Sequence, residues 1–165
     1  MAGDNVGRYS NRVRISVGAD DKGALPDLVV NKLCQMGHDV LVHGDPSGTH
    51  VEYVEVAEQV ARDVAEGRAD EGIVMCWTGT GVSIAANKVP GVRAALCQDA
   101  ETARGARRWN HANVLALSMR ATSEPMAQEI LDAWFSQPFG ADPIDHQNVA
   151  KLQRLDQARS ASGVS

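Results

Sequence analysis

Apolar and polar positions along the chain follow two rhythms that take turns. Val13, Ile15 and Val17 alternate with Arg14 and Ser16, the period-2 pattern of a short strand. Leu25, Leu28, Val29 and Leu33 then recur at helical spacing from about Ala24 to Met36, and Gly37 stops that helix. Val40, Leu41 and Val42 predict a second strand, followed by a Gly/Pro/Ser loop from Gly44 to Thr49. The clearest helix spans Val51 to Glu66. Val56, Val60 and Val64 repeat at four-residue intervals beside Ala57, Ala61 and Ala65, charged residues lie opposite, and Gly67 ends the run. Ile73, Val74 and Met75 form a third strand that runs into Cys76, then a Thr/Gly loop, then a small-residue helix start from Val82 to Ala86.

The rhythm repeats further on. Val92 to Cys97 predicts a fourth strand, Gln98-Asp99 a turn, Glu101 to Arg108 a helix and Val114 to Leu117 a fifth strand. A helix opens between Ser118 and Ser123 and runs to about Ser136. After Pro138, Gly140 and Pro143, Val149, Leu152 and Leu155 line one face of a last helix. Five strand–helix alternations imply an α/β fold with a parallel sheet covered on both faces. We expect a flexible leader over 1–11, a single domain over 12–159 and a disordered tail over 160–165.

Composition narrows the function classes. A net charge of −5 with no basic run argues against nucleic acid as a partner. No apolar stretch approaches the roughly 20 residues of a membrane helix. The first residues, MAGDNVGRYSNR, lack an apolar signal core, so the cytoplasm is the expected compartment. The three cysteines have no metal-ligand spacing, an odd count fits poorly with a disulfide framework, and the five histidines are scattered.

In parallel sheets ligands sit beyond the carboxyl ends of the strands. That rule gathers Gly18 to Lys22, Cys76 to Gly81 and the residues around Gln98 at one edge. The Thr78-Gly79-Thr80-Gly81 turn lacks the Gly-Lys-Ser/Thr ending of a P-loop and does not complete GxGxxG, because position 84 is Ile. A strand, tight turn and helix start nevertheless point backbone N–H groups at one spot, which suits an anion. Cys76 stands beside it, either as a small buried hydrophobe or as a reactive thiol favoured by those amides. Cys34 and Cys97 read as buried, and Trp109 and Trp134 as packing residues. Asp20 and Asp21 either cap the first helix or face a ligand.

Most of the chain, from about Arg14 to Leu155, resembles the type B ribose-5-phosphate isomerases and the related galactose-6-phosphate isomerase subunits. The stretch CWTGTGVSIAANKVPGVRAALCQD, residues 76 to 99, is similar to the family's C-G-T-G-x-G-x-S-I-A-A-N-K-x-x-G-I-R-A-A. Gly18 to Gly23 resembles its G-x-D-H-A-G, Glu52-Tyr53 its D-Y, and the segment around Asn110 and Asn113-Val114 its H-N-D-x-N-V. The resemblance implies a three-layer α/β/α Rossmann-like sandwich with a five-stranded parallel sheet. It also implies a homodimer or dimer of dimers with shared active sites, no metal and no organic cofactor. The implied reaction is aldose–ketose isomerisation of a sugar phosphate through a cis-enediol. Cys76 would be the base, with Thr78 and Asp20 handling hydroxyl protons. Gly79, Thr80, Gly81, Val82 and Ser83 would hold the enediolate, and Asp21, Tyr53, Asn110 and Arg120 would bind substrate.

Departures from the family pattern bear on the substrate. Asp21 replaces a histidine, Trp77 replaces a glycine, and Trp109 stands where the family has the histidine linked to ring opening. Asp145 and Val149 fall where two phosphate-binding arginines are expected. Trp77 and Trp109 are therefore candidate specificity residues, and the expected substrate is a sugar phosphate other than ribose 5-phosphate. A four-carbon tetrose or tetrulose phosphate fits, because its 4-hydroxyl is esterified and needs no ring opening. The alternatives are an isomerase of an unphosphorylated or acidic sugar, or a noncatalytic sugar-phosphate-binding subunit of a heteromeric isomerase.

Overall fold

The structure, a computed structural model, describes residues 12 to 163; the expected leader and residues 164 and 165 lie outside them. The strands are β1 (Arg14–Ala19), β2 (Asp39–Gly44), β3 (Glu71–Cys76), β4 (Ala94–Leu96) and β5 (Val114–Ser118). The α-helices are α1 (Ala24–Gln35), α2 (Tyr53–Ala65), α3 (Thr80–Ala86), α4 (Ala100–Asn110), α5 (Glu124–Ser136) and α6 (Pro143–Ser162). All strand pairings are parallel, in the order β2-β1-β3-β5-β4. This is the expected α/β architecture.

Strand alternation divides the core into two layers. Ile15, Val17, Ile73, Met75, Leu115 and Leu117 face α1, α4 and α5. Val74, Cys76, Val114 and Ala116 face α2 and α3. On that second face Gly18 lets α2 approach closely, since a Cβ there would lie 2.5 Å from Val56 Cγ2. Beneath α2, Asp63 accepts hydrogen bonds from Ser16 (2.8 Å) and Arg68 (2.8 Å) and contacts His43 Nε2 at 2.7 Å. Burial pushes the Asp63 carboxyl up, but the hydrogen bonds from Arg68, His43 and Ser16 outweigh it and hold the group below the usual range.

Several boundaries differ from expectation for identifiable reasons. β4 is three residues rather than six: the Asn113 side chain replaces a backbone partner just before it, and Asn87 covers its outer edge. Asn113 Oδ1 accepts from the Arg93 N–H and Asn87 Oδ1 from the Ala94 N–H, each at 2.8 Å. α4 runs on to Asn110, where His111 closes it in the left-handed region (φ 48°). Ser118 ends β5, and Ser123 caps α5 through the Met126 N–H, so that helix starts at Glu124. α6 continues to Ser162, into the expected tail. Cys34 is exposed on α1 instead of buried. Trp134 is fully buried as expected, whereas Trp109 is 57% exposed and packs its ring only over Gly105 of its own helix instead of in the core.

One charged group sits under the amino edge of the sheet. Glu71 accepts from Arg107 (2.8 Å) and from the Trp134 indole N–H (2.6 Å). Burial raises the Glu71 carboxyl against the pull of Arg107 and Trp134. The same guanidinium lies 4.4 Å over the Phe139 ring, which stacks at 4.7 Å on His111. The pair thereby ties β3, α4, α5 and the segment before α6. Removing one member leaves a buried charge without its partner, so Arg107→Met should cost about 3–5 kcal/mol in urea unfolding. Adding Glu71→Gln to that variant should recover part of the loss. A cost within error of zero for Arg107→Met would show that the pair does not stabilise the fold.

Candidate active site

Sheet register builds the site before any side chain is considered. Ala19 lies opposite Met75, and Cys76 opposite Ser118, so the three central strands end at one level. Asp20, Trp77 and Met119 therefore leave the sheet side by side. Cys76 is 6% exposed and belongs to the layer shared with Val82, Ala86 and Ala116. Trp77, one residue on, belongs to the other face: it is 65% exposed and lines a groove between α1 and α5. The base candidate and its neighbouring tryptophan point to opposite sides of the strand end.

The turn after them is tightly held. The Trp77 carbonyl accepts from the Arg120 N–H and from the Ser118 hydroxyl, both at 2.9 Å, and the Ser118 Oγ accepts from the Ala121 N–H at 3.0 Å. Gly79 adopts φ 76°, and a Cβ on it would lie 2.6 Å from Leu96 Cδ1 and 2.9 Å from the Leu117 carbonyl carbon. Only glycine fits both that conformation and that space. Residue 79 is the N-cap of α3, and the first bond of that helix joins the Ser83 N–H to the Gly79 carbonyl at 3.2 Å. The N–H groups of Thr80, Gly81 and Val82 precede it and have no acceptor within the helix. They are donors available to an oxyanion beside Cys76.

Around this turn gather most of the expected site residues. The Thr78 and Thr80 hydroxyls share a hydrogen bond of 2.8 Å. Tyr53, the first residue of α2, lays its ring against Gly81, where a Cβ would meet two ring carbons at 2.9 Å. Burial raises the Asp20 carboxyl, and the neighbouring charges of Asp21, Glu52 and Asp45 raise it further against a backbone hydrogen bond. Asp45 and Glu52 were absent from the sequence-based site. They follow β2, whose carboxyl end belongs to the same sheet edge and was the available signal. Arg120 and Lys22 are exposed at this edge, and neither forms an ion pair among the described residues. Burial pushes the Cys97 thiol up to about 12, which makes it inert.

Trp109 and Asn110 are not brought to this place. They end α4 at the opposite edge, where Asn110 lines a cavity with Asn87, Arg93 and Ala112. Within one chain the sheet separates them from Cys76. Among the described residues no His, Cys, Asp and Glu cluster could hold a metal ion, and no helix is long and apolar enough to cross a membrane.

Comparison with known proteins agrees with this geometry. The family model described as Ribose/Galactose Isomerase matches residues 15–152. Ribose-5-phosphate isomerase B of Escherichia coli is 36% identical over 148 residues, which is 89% of this chain and 99% of that protein. The D-erythrulose-4-phosphate isomerase of Pectobacterium atrosepticum is 39% identical over 127 residues, 76% of this chain and 84% of that one. The solved structure of Clostridium thermocellum ribose-5-phosphate isomerase B superposes with a TM-score of 0.83 at 36% identity, covering 88% of this chain and 99% of that chain. The chain thus belongs to the ribose/galactose isomerase family, the sugar-phosphate aldose–ketose isomerases.

Proposed function

We propose that this protein interconverts an aldose phosphate and its ketose through a cis-enediol, with Cys76 as the base. The observation that carries this is the thiol at the end of β3 beside the amides of Thr80, Gly81 and Val82, which have no acceptor within α3. The Cys76 thiolate removes a proton from the carbon next to the carbonyl, whose oxygen takes up the negative charge. Amides already aimed at that oxygen stabilise it; losing one such donor typically costs about 10²–10³ in rate. Cys76 then returns the proton to the neighbouring carbon. A second proton passes between the two oxygens, a transfer suited to Asp20, whose carboxyl is held above its ordinary range, with the Thr78 hydroxyl beside the turn.

The substrate we favour is a four-carbon tetrose or tetrulose phosphate, handled in the cytoplasm without a metal or organic cofactor. Trp109 in place of the family's ring-opening histidine supports it, since a tetrose 4-phosphate cannot close a furanose ring. The similarity to a protein named for D-erythrulose 4-phosphate points the same way. The separation of Trp109 and Asn110 from Cys76 supports shared sites in a homodimer or dimer of dimers, each completed by residues from a second copy.

Three outcomes test this function. In a screen of four- to six-carbon sugar phosphates, tetrose phosphates should give the highest kcat/KM; preference for ribose 5-phosphate would remove the tetrose assignment. Cys76→Ala and Asn110→Ala should each lose nearly all turnover. After the two inactive proteins are dissociated and reassociated together, about a quarter of wild-type activity should return if sites are shared in a two-fold dimer. No recovery would mean that each chain builds its own site. Asp20 binds its proton more tightly folded than unfolded, so its charge opposes folding as pH rises through the carboxylate range. Asp20→Asn should therefore lower kcat yet raise Tm, with a larger gain at pH 7 than at pH 4. A lower Tm at pH 7 would contradict the crowding of carboxylates around it.

A further inference from the structure

The turn that carries the site is anchored to β5 at one carbonyl. Cys76 is paired with Ser118, so the chain leaves β3 and β5 at the same level. The Trp77 carbonyl then accepts from the Arg120 N–H and from the Ser118 hydroxyl, each at 2.9 Å. The Ser118 Oγ accepts in turn from the Ala121 N–H at 3.0 Å, which leaves its own proton directed at Trp77. Ser118 is 3% exposed, so these bonds are sheltered from water. The carbonyl and the N–H of a trans peptide point in opposite directions. With the Trp77 carbonyl held toward β5, the Thr78 N–H points to the β1 side of β3, where Asp20 leaves the sheet. That N–H has no acceptor among the described residues. The same peptide lies between Cys76 and Gly79, so its orientation also fixes how the thiol stands to the Thr80, Gly81 and Val82 amides.

We propose that Ser118 is a positioning residue for this site: by locking the Trp77 carbonyl, its hydroxyl turns the Thr78 N–H into the cleft between Cys76 and Asp20, as a donor to the substrate oxygen on which charge develops. Ser118 acts only through this peptide and touches no reacting atom. The role rests on the isomerase function proposed above and adds to it the group that aims the donors. A donor aimed in advance costs no reorganisation when charge appears, so its benefit falls on the transition state. Loss of the hydroxyl therefore lowers kcat and kcat/KM together and leaves KM nearly unchanged.

Two variants of equal shape isolate the hydroxyl: Ser118→Thr keeps it and Ser118→Val lacks it. Ser118→Ala, smaller than the native residue, decides alone if the larger pair fails to fold. On the best sugar phosphate, Ser118→Ala and Ser118→Val should lose about tenfold in kcat, less than the roughly 10²-fold that a misplacement of about 1 Å can cost. KM should stay within about twofold of wild type, and Ser118→Thr should retain most of the wild-type kcat. Ser16→Ala removes a buried hydroxyl from the Asp63 network and controls for general loosening; it should lower Tm without lowering kcat. Backbone ¹H–¹⁵N NMR of the full chain without substrate reads the positioning apart from catalysis. The Thr78 amide signal should move in Ser118→Ala and Ser118→Val and stay near its wild-type place in Ser118→Thr. An unchanged kcat in Ser118→Ala, equal losses in the Thr and Val variants, or an equal kcat loss in Ser16→Ala overturns the proposal. If no sugar phosphate turns over but the Thr78 signal follows the hydroxyl, the isomerase function fails and the positioning stands. If sugar phosphates turn over and neither kcat nor the Thr78 signal depends on the hydroxyl, the positioning fails and the isomerase function stands.

Discussion

At Gly79 the backbone turns through the left-handed region, and a Cβ there would collide with the Leu117 carbonyl carbon, the Ser118 amide nitrogen and the Leu96 side chain. That single close approach sets the direction of α3 relative to β3, and with it the place where the Thr80, Gly81 and Val82 amides converge. Neighbouring hydrogen bonds hold the turn from outside: the Cys76 and Trp77 carbonyls accept from Met119 and Arg120, and Ser118 bridges the same loop. An oxyanion site gains its strength from donors that need not reorganise when charge develops. Here the rigidity comes from sheet register and steric fit, with few polar side chains involved.

Charge across the strand ends is arranged unevenly. Carboxylates crowd the β1–β2 side, and Lys22 and Arg120, which form no ion pair among the described residues, occupy the loops after β1 and β5. Burial, with the neighbouring carboxylates adding to it, raises the Asp20 carboxyl above its ordinary value. An overall charge of −5 does not by itself set the potential at this edge, because local groups decide the potential within a cleft.

The two edges of the sheet serve different ends. At the amino edge the Glu71, Arg107 and Trp134 cluster ties four elements together, and Phe139 and His111 extend it toward α6. Trp109 and Asn110 stand beside that cluster, exposed, on the end of α4. A rigid mount for residues facing away from their own Cys76 is understandable if they serve a neighbouring copy.

Local periodicity was enough to find five strands, six helices and the parallel architecture, because burial of one face imposes a spacing that each segment carries by itself. The motif at Cys76 to Ser83 was legible for a similar reason: a left-handed glycine between strand and helix is a local requirement. Position in space was not. The sequence could not show that adjacent Cys76 and Trp77 face opposite layers of the fold, or that Asp45 and Glu52 reach Asp20 from loops more than twenty residues away. Nor could it show that Asn113 shortens β4 or that Cys34 and Trp109 are exposed. Each of these depends on contacts between segments distant in the chain. The sequence by itself determined the elements and the chemistry of the turn; only the tertiary structure decided which charges and side chains share the cleft, because electrostatics and packing act through space.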